Sequence, residues 1–168
     1  MSLPATAPQD KSPESTRQSS RAATILVVDD SESDVELLQH MLRRYAVLNP
    51  VQAVQSVHDA ICYLKGEGIY QDRQRYPFPI LVLLDLHLPD GTGFNVLHWL
   101  EAHPTRLPTA VVVLTGSDRN AIQRSYAMGA HSFLVKPLRF EDLQNMVSNV
   151  RGLKLTRTAE GHILQADP

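Results

Sequence analysis

The sequence predicts an α/β fold, a (βα)5 chain doubly wound about a parallel sheet. Three observations predict it. Five short apolar runs are continuous rather than alternating, as expected of strands buried on both faces. The segments between them carry apolar residues at helical spacing. Caps, glycines and prolines punctuate the two kinds of segment. Strands alternating with helices in this way imply right-handed crossovers and helices on both sides of the sheet.

The first strand is Thr24–Val28, read straight from TILVV. Ser31 or Ser33 can cap the helix that follows, and Glu36 completes a capping-box pattern with Ser33. Val35, Leu38, Met41, Leu42 and Tyr45 form its apolar stripe. Val51–Gln55 reads as a shorter second strand. Ser56 caps a helix over Val57–Lys65, which Gly66 stops. The polar stretch Gly66–Pro79 is a long loop containing Tyr70 and Tyr76. Ile80–Leu84 is the third and most apolar strand, and it runs directly into Asp85. Pro89, Asp90, Gly91 and Gly93 force a turn before a helix over Gly93–Ala102. Thr109–Leu114 is the fourth strand, Arg119–Met128 the fourth helix and His131–Val135 the fifth strand. A last helix covers Phe140–Arg151, with Glu141 and Asp142 in its first turn as the macrodipole favours.

The domain is expected at 24–152, preceded by a disordered leader at 1–23 and followed by a tail at 153–168. The leader is rich in Ser, Thr, Pro and Gln, with no apolar face to offset the entropy of ordering. At 168 residues, with 43% hydrophobic and 20% charged residues, the chain suits a globular domain with a substantial core. A net charge of −2 argues against a nucleic-acid partner. No apolar run approaches the ~20 residues of a membrane span. The single Cys62 excludes an internal disulfide and suits a reducing compartment, so a cytoplasmic location is expected. The seven histidines match no metal-ligand spacing.

The chemistry gathers at the carboxyl ends of the strands, which share one edge of a parallel sheet and are where open α/β sheets bind ligands. Asp29 and Asp30 follow the first strand, Asp85 the third, Thr115 the fourth and Lys136 the fifth. Each aspartate taken singly is an ordinary cap or turn residue. Together, three carboxylates would repel one another, and a hard divalent cation such as Mg²⁺ removes the conflict. The Lys136 amine and the Thr115 hydroxyl remain as donors to a tetrahedral dianion. The set suggests a phosphoryl group carried on Asp85.

At these spacings the chain resembles the CheY-like receiver domain of two-component response regulators. The resemblance rests on the Asp29-Asp30 pair, Asp85, Pro89, Gly93, Thr115 with the small Gly116 after it, and the Lys136-Pro137 pair. The long loop before the third strand adds a likeness to the stand-alone receivers associated with bacterial and cyanobacterial phytochromes. The resemblance implies a flavodoxin-like sheet of order 2-1-3-4-5. It implies Asp85 as phosphoacceptor and Asp30 as the principal Mg²⁺ ligand. Asp29 would assist, directly or through water, and the His87 backbone carbonyl would complete the protein ligands. Lys136 would pair with the phosphoryl oxygens beside a cis Lys136-Pro137 bond. The donor would be a phosphohistidine on a sensor histidine kinase, of phytochrome type in the narrower likeness, or on a phosphotransfer protein.

Two departures from the family pattern stand out. Phe133 occupies a strand-five position where Tyr is common, which leaves a packing switch without a hydroxyl. Thr92 precedes the matched Gly93 where Asp is frequent. The Phe133 switch would alter the face of helix four, strand five and helix five, the expected route to a homodimer. His87 and Ser117, two residues past Asp85 and Thr115, would flank the path of water to an acyl phosphate and, with Gly116, would modulate its lifetime, His87 either by shielding the phosphate or by positioning the water. A rival reading is a small Mg²⁺-dependent phosphatase with an Asp nucleophile. Such enzymes carry a second acid where this chain has His87.

Overall fold

The computed structural model describes residues 23–104, 109–116 and 118–167, so the expected leader lies outside the described residues except for Ala23. In chain order the elements are β1 (Thr24–Val28), α1 (Glu32–Arg44), β2 (Val51–Val54), α2 (Val57–Lys65) and a 3-10 turn (Gly68–Tyr70). Then come β3 (Pro79–Asp85), β4 (His87–Leu88), β5 (Gly91–Thr92), α3 (Gly93–Ala102), β6 (Ala110–Thr115) and α4 (Arg119–Ala127). The chain continues through β7 (Ser132–Val135), α5 (Phe140–Asn149), β8 (Leu153–Arg157) and β9 (His162–Ala166).

The main sheet is parallel, with order β2-β1-β3-β6-β7. Counted by its own five strands this is the expected 2-1-3-4-5. Every residue of β1, β3 and β6 is buried, which is why their sequences are apolar without a break. Successive side chains point to opposite faces. Ile25, Leu81, Leu83, Val112 and Leu114 meet Leu38 and Leu42 of α1 and Leu143 and Val147 of α5. Leu26, Val28, Val82, Leu84 and Val113 meet α2, α3 and the rim of α4.

Helix starts are set locally. The cap of α1 is Ser31, whose Oγ accepts from the Asp34 N–H. The Ser33–Glu36 capping box expected from sequence does not form, because Ser31 takes the extended cap conformation and Ser33 already lies within the helix. Ser56 caps α2, and Gly66 ends it at φ 73°, as expected. The Asp90 carboxylate adds a second cap to α2 from the turn between β4 and β5. It accepts from the N–H groups of Val57 at 2.8 Å and His58 at 2.9 Å, and these bonds hold its pKa below the usual carboxylate range.

The long loop is pinned to α2. Arg73 donates to the carbonyls of Tyr63 at 2.8 Å and Leu64 at 2.7 Å, satisfying the C-terminal carbonyls of the helix. Tyr63, Tyr70 and Tyr76 pack as one aromatic cluster with centroids 5.2–6.0 Å apart. Tyr63 is fully buried, and burial pushes its hydroxyl up to about 12.

The segment expected as a tail forms an antiparallel hairpin, β8 and β9, docked on the α1–α5 side of the sheet. Leu164 is completely buried there, and His162 stacks on Tyr45. Asn49 anchors the hairpin. Its amide donates to the carbonyls of Ala23 at 2.7 Å and Leu164 at 3.0 Å, and its Oδ1 accepts from the Leu164 N–H at 2.7 Å. Asn49→Ala strands these backbone groups at a buried position. We expect a loss of about 2 kcal/mol in urea unfolding. Hydrogen exchange at the amides of β9 should accelerate more than exchange in β3. Among the described residues, no helix is long and apolar enough to cross a membrane.

Candidate functional site

Strand alternation decides which functional groups meet. Asp29 follows Val28, Asp85 follows Leu84 and Lys136 follows Val135, so all three turn toward the α1–α5 side. Thr115 follows Leu114 and takes the opposite face, with Val113. Phe133 pairs in register with Val113, and Val135 with Thr115, so Phe133 shares Thr115's face.

The Lys136 ammonium is the hub. Its three protons go to three carboxylates: Asp29 Oδ2 at 2.8 Å, Asp34 Oδ2 at 2.8 Å, and Asp85 Oδ2 in direct contact. Burial alone would pull the lysine pKa down. Hydrogen bonds to Asp29, Asp34 and Asp85 outweigh it and hold the amine above its ordinary range. Asp29 is fully buried, and this burial raises its pKa against the pull of Lys136 and of the Ser31 N–H, which donates to Oδ1 at 2.9 Å. The Asp85 carboxylate is also buried. Its Oδ1 accepts the His87 N–H at 2.8 Å, so each of its oxygens has a protein donor.

One carboxylate oxygen each from Asp29, Asp30 and Asp85 lie within 4.8 Å of one another. Asp30 is the exposed member and the other two are buried. All the donors are hard oxygens at the mouth of a strand edge, with one amine to balance them. This set fits a divalent cation of the Mg²⁺ kind.

The structure places the remaining predicted residues as follows. His87 begins a short ribbon, pairing with Thr92. Its imidazole is 90% exposed, with Nδ1 3.8 Å from Asp85 Oδ1, so it stands beside that carboxylate without covering it. Thr115 is buried at the end of β6, and its carbonyl accepts the Lys136 N–H at 2.8 Å. Gly116 is exposed, and a Cβ there would meet nothing within 4 Å. Ser117 lies outside the described residues. The Lys136-Pro137 bond is cis, as expected. Phe133 is half-buried and meets the exposed Tyr126 of α4 edge to face, with centroids 6.0 Å apart.

Sequence reading missed two participants. Asp34 sits in the first turn of α1, four residues after Asp30, on the turn that faces the strand edge. No spacing in the sequence signals it, because Asp30 precedes the Ser31 cap and the two aspartates do not share a helix face. Tyr126 carries no signal in the sequence beyond its place in a helix.

Comparison with known proteins places these features in a family. Residues 25–148 match the response regulator receiver domain, a span running from β1 into α5. Response regulator Rcp1 of Synechocystis sp. is 30% identical over 139 residues, covering 82% of this chain and 92% of that protein. A solved structure of its Mn²⁺-bound form superposes with a TM-score of 0.68 at 28% identity, over 80% of this chain and 99% of that one. The bacteriophytochrome response regulator RtBRR gives a TM-score of 0.70 at 30% identity, over 77% of this chain and 78% of that one. The phosphorylated cyanobacterial phytochrome response regulator RcpA gives 0.64 at 31% identity, over 74% and 88%. With the sheet order, the strand-end carboxylates and Lys136 all inside the matched span, the chain belongs to the response regulator receiver domain family.

Proposed function

We propose that Asp85 is the phosphoacceptor of a two-component phosphorelay. The observation that carries this reading is the convergence on Asp85 of a lysine ammonium and two further carboxylates able to hold a cation. A carboxylate oxygen of Asp85 attacks phosphorus in line, and the P–N bond of a donor phosphohistidine breaks. The imidazole leaves with the bonding electrons, and an acyl phosphate remains on Asp85. A bound Mg²⁺, held by Asp30 and Asp85 with Asp29 and the His87 carbonyl assisting, would neutralise charge on the phosphoryl oxygens. Lys136 donates to one of those oxygens in place of Asp85 Oδ2, and the Thr115 hydroxyl turns to donate to another.

Thr115 and Phe133 lie on one face of adjacent strands, so movement of Thr115 changes the space open to Phe133. The Phe133–Tyr126 contact would then report the state on the α4–β7–α5 face, altering partner binding or self-association. The donor is a histidine kinase, and the phytochrome response regulators among the similar structures favour a phytochrome-type kinase. The protein works in the cytoplasm as a regulator, turning over no separate substrate. The residue two past the nucleophile is an exposed imidazole rather than an acid, which favours this over an aspartyl phosphatase.

Intact-protein mass spectrometry tests the central step. With Mg²⁺ and a phosphodonor, the wild type should gain one phosphoryl group and Asp85→Asn none. An unmodified wild type in the presence of a competent kinase would overturn the reading.

A further inference from the structure

We propose that Asp34 is a positioning residue that tethers Lys136 at the site while the phosphoryl group is bound. The proposal rests on Asp85 being the phosphoacceptor.

Of the three carboxylates that share the Lys136 ammonium, Asp34 alone stands outside the group close enough to hold a cation. Cation binding draws on the oxygens of Asp29 and Asp85. Phosphorylation turns the Asp85 carboxylate into a mixed anhydride and moves the negative charge onto the phosphoryl oxygens. Both events withdraw partners from Lys136 when its ammonium is most needed. Asp34 loses nothing in either event. Its backbone is fixed by the Ser31 cap at the start of α1, and its side chain is one-third exposed, so its oxygen is held without being sealed in. Lys136 already touches Asp85, so it reaches a phosphoryl oxygen without leaving Asp34. The alternative, in which Asp34 competes for Lys136, requires the ammonium to move away, and its present contact with Asp85 makes that movement unnecessary.

The tether makes Asp34 matter only through Lys136, which a double-mutant cycle reads directly. The probe is beryllofluoride, a noncovalent phosphoryl mimic, titrated calorimetrically in saturating Mg²⁺. In the wild-type background, Asp34→Ala should weaken beryllofluoride binding about tenfold. In a Lys136→Ala background the same change should have less than twofold effect. Asp34→Asn, which keeps the shape of the side chain, gives the same comparison if the alanine variant folds poorly. Unchanged or tighter binding in Asp34→Ala overturns the tether, and tighter binding identifies Asp34 as a competitor. An equal loss in both backgrounds also overturns it, because Asp34 would then act on the phosphoryl group or the fold directly. A wild type that binds Mg²⁺ but no beryllofluoride overturns the phosphoacceptor reading itself, an outcome distinct from either.

Discussion

Lys136→Ala is expected to destabilise the metal-free protein at pH 7 by about 3 kcal/mol, the lower end of the cost of removing one partner from a buried ion pair. The lower end applies because the lysine side chain remains 23% exposed. Three carboxylates lose their shared cation, and two of them, Asp29 and Asp85, have almost no access to water. Two conditions should repair the variant. Mg²⁺, on the proposed function, would bind only the folded site and should stabilise Lys136→Ala by mass action, raising its urea midpoint more than that of the wild type. Acid should also help. Burial already raises the Asp29 pKa, and Lys136 opposes that rise, so the variant's Asp29 is shifted further upward. A carboxyl whose folded pKa exceeds its unfolded value binds more protons when folded. Its contribution is fully present below the unfolded pKa of about 3.9 and is lost as pH rises through the folded value. The deficit of the variant should therefore shrink as pH falls from 7 toward 5. The wild-type lysine has the opposite window. Its folded pKa is raised, so its contribution is complete below about 10.4 and disappears only in stronger alkali. Urea titrations at two pH values, with and without Mg²⁺, separate these effects. A variant as stable as the wild type in metal-free buffer would show that the three carboxylates need no counter-charge.

What the chain shows in advance depends on how local the cause is. β1, β3 and β6 are legible because burial on both faces imposes an unbroken apolar run. Asp29, Asp85 and Lys136 are legible because each sits where such a run stops. Asp34 was invisible for a physical reason. A carboxylate in the first turn of a helix is what the macrodipole favours, so its presence there called for no further explanation. Only the fold brings Lys136, 102 residues away, within reach of it. The hairpin of β8 and β9 failed similarly. Its strands carry lysine, arginine, glutamine and threonine among their apolar residues, and Leu164 is buried through Asn49, 115 residues distant. The choice of Ser31 over Ser33 as cap turned on where Asp29 and Asp30 release the chain, which no capping pattern encodes. Phe133 is marked out in the sequence by its place three residues before Lys136. Its neighbour Tyr126 is not, because the contact joins a strand to a helix side chain left exposed to solvent.

Gly93→Ala is expected to cost about 3 kcal/mol and to impair Asp85 as an acceptor even where the variant remains folded. Gly93 is the first residue of α3, and its N–H donates to the Leu86 carbonyl at 3.1 Å. A Cβ built on it collides with the Asp85 carbonyl oxygen and comes within 3.1 Å of the Leu86 Cα. Both neighbours are backbone, so neither can rotate away as a side chain would. The cost exceeds that of ordinary overpacking for that reason, at the upper end of the 1–3 kcal/mol seen when one methyl group is forced into a packed core. No gain in helix propensity offsets it, since replacing a helical glycine by alanine returns at most about 1 kcal/mol. The strain must be relieved by shifting α3 away from the strand end or by moving the peptide that carries Asp85. The second route displaces the carboxylate relative to Lys136, and a misplacement near 1 Å is enough to cost about a hundredfold in rate. Gly91→Ala is the control, because a Cβ there meets side-chain atoms of Asn95 and Val57 at 3.1 and 3.3 Å, and these can yield. We expect Gly91→Ala to stay within about 1 kcal/mol of the wild type and to accept phosphate at a near-normal rate. Gly93→Ala should lose both stability in urea and phosphorylation rate at temperatures where it remains folded. Equal behaviour of the two variants would mean that the chain past Asp85 tolerates a side chain at Gly93, and that the glycine does not fix the acceptor's position.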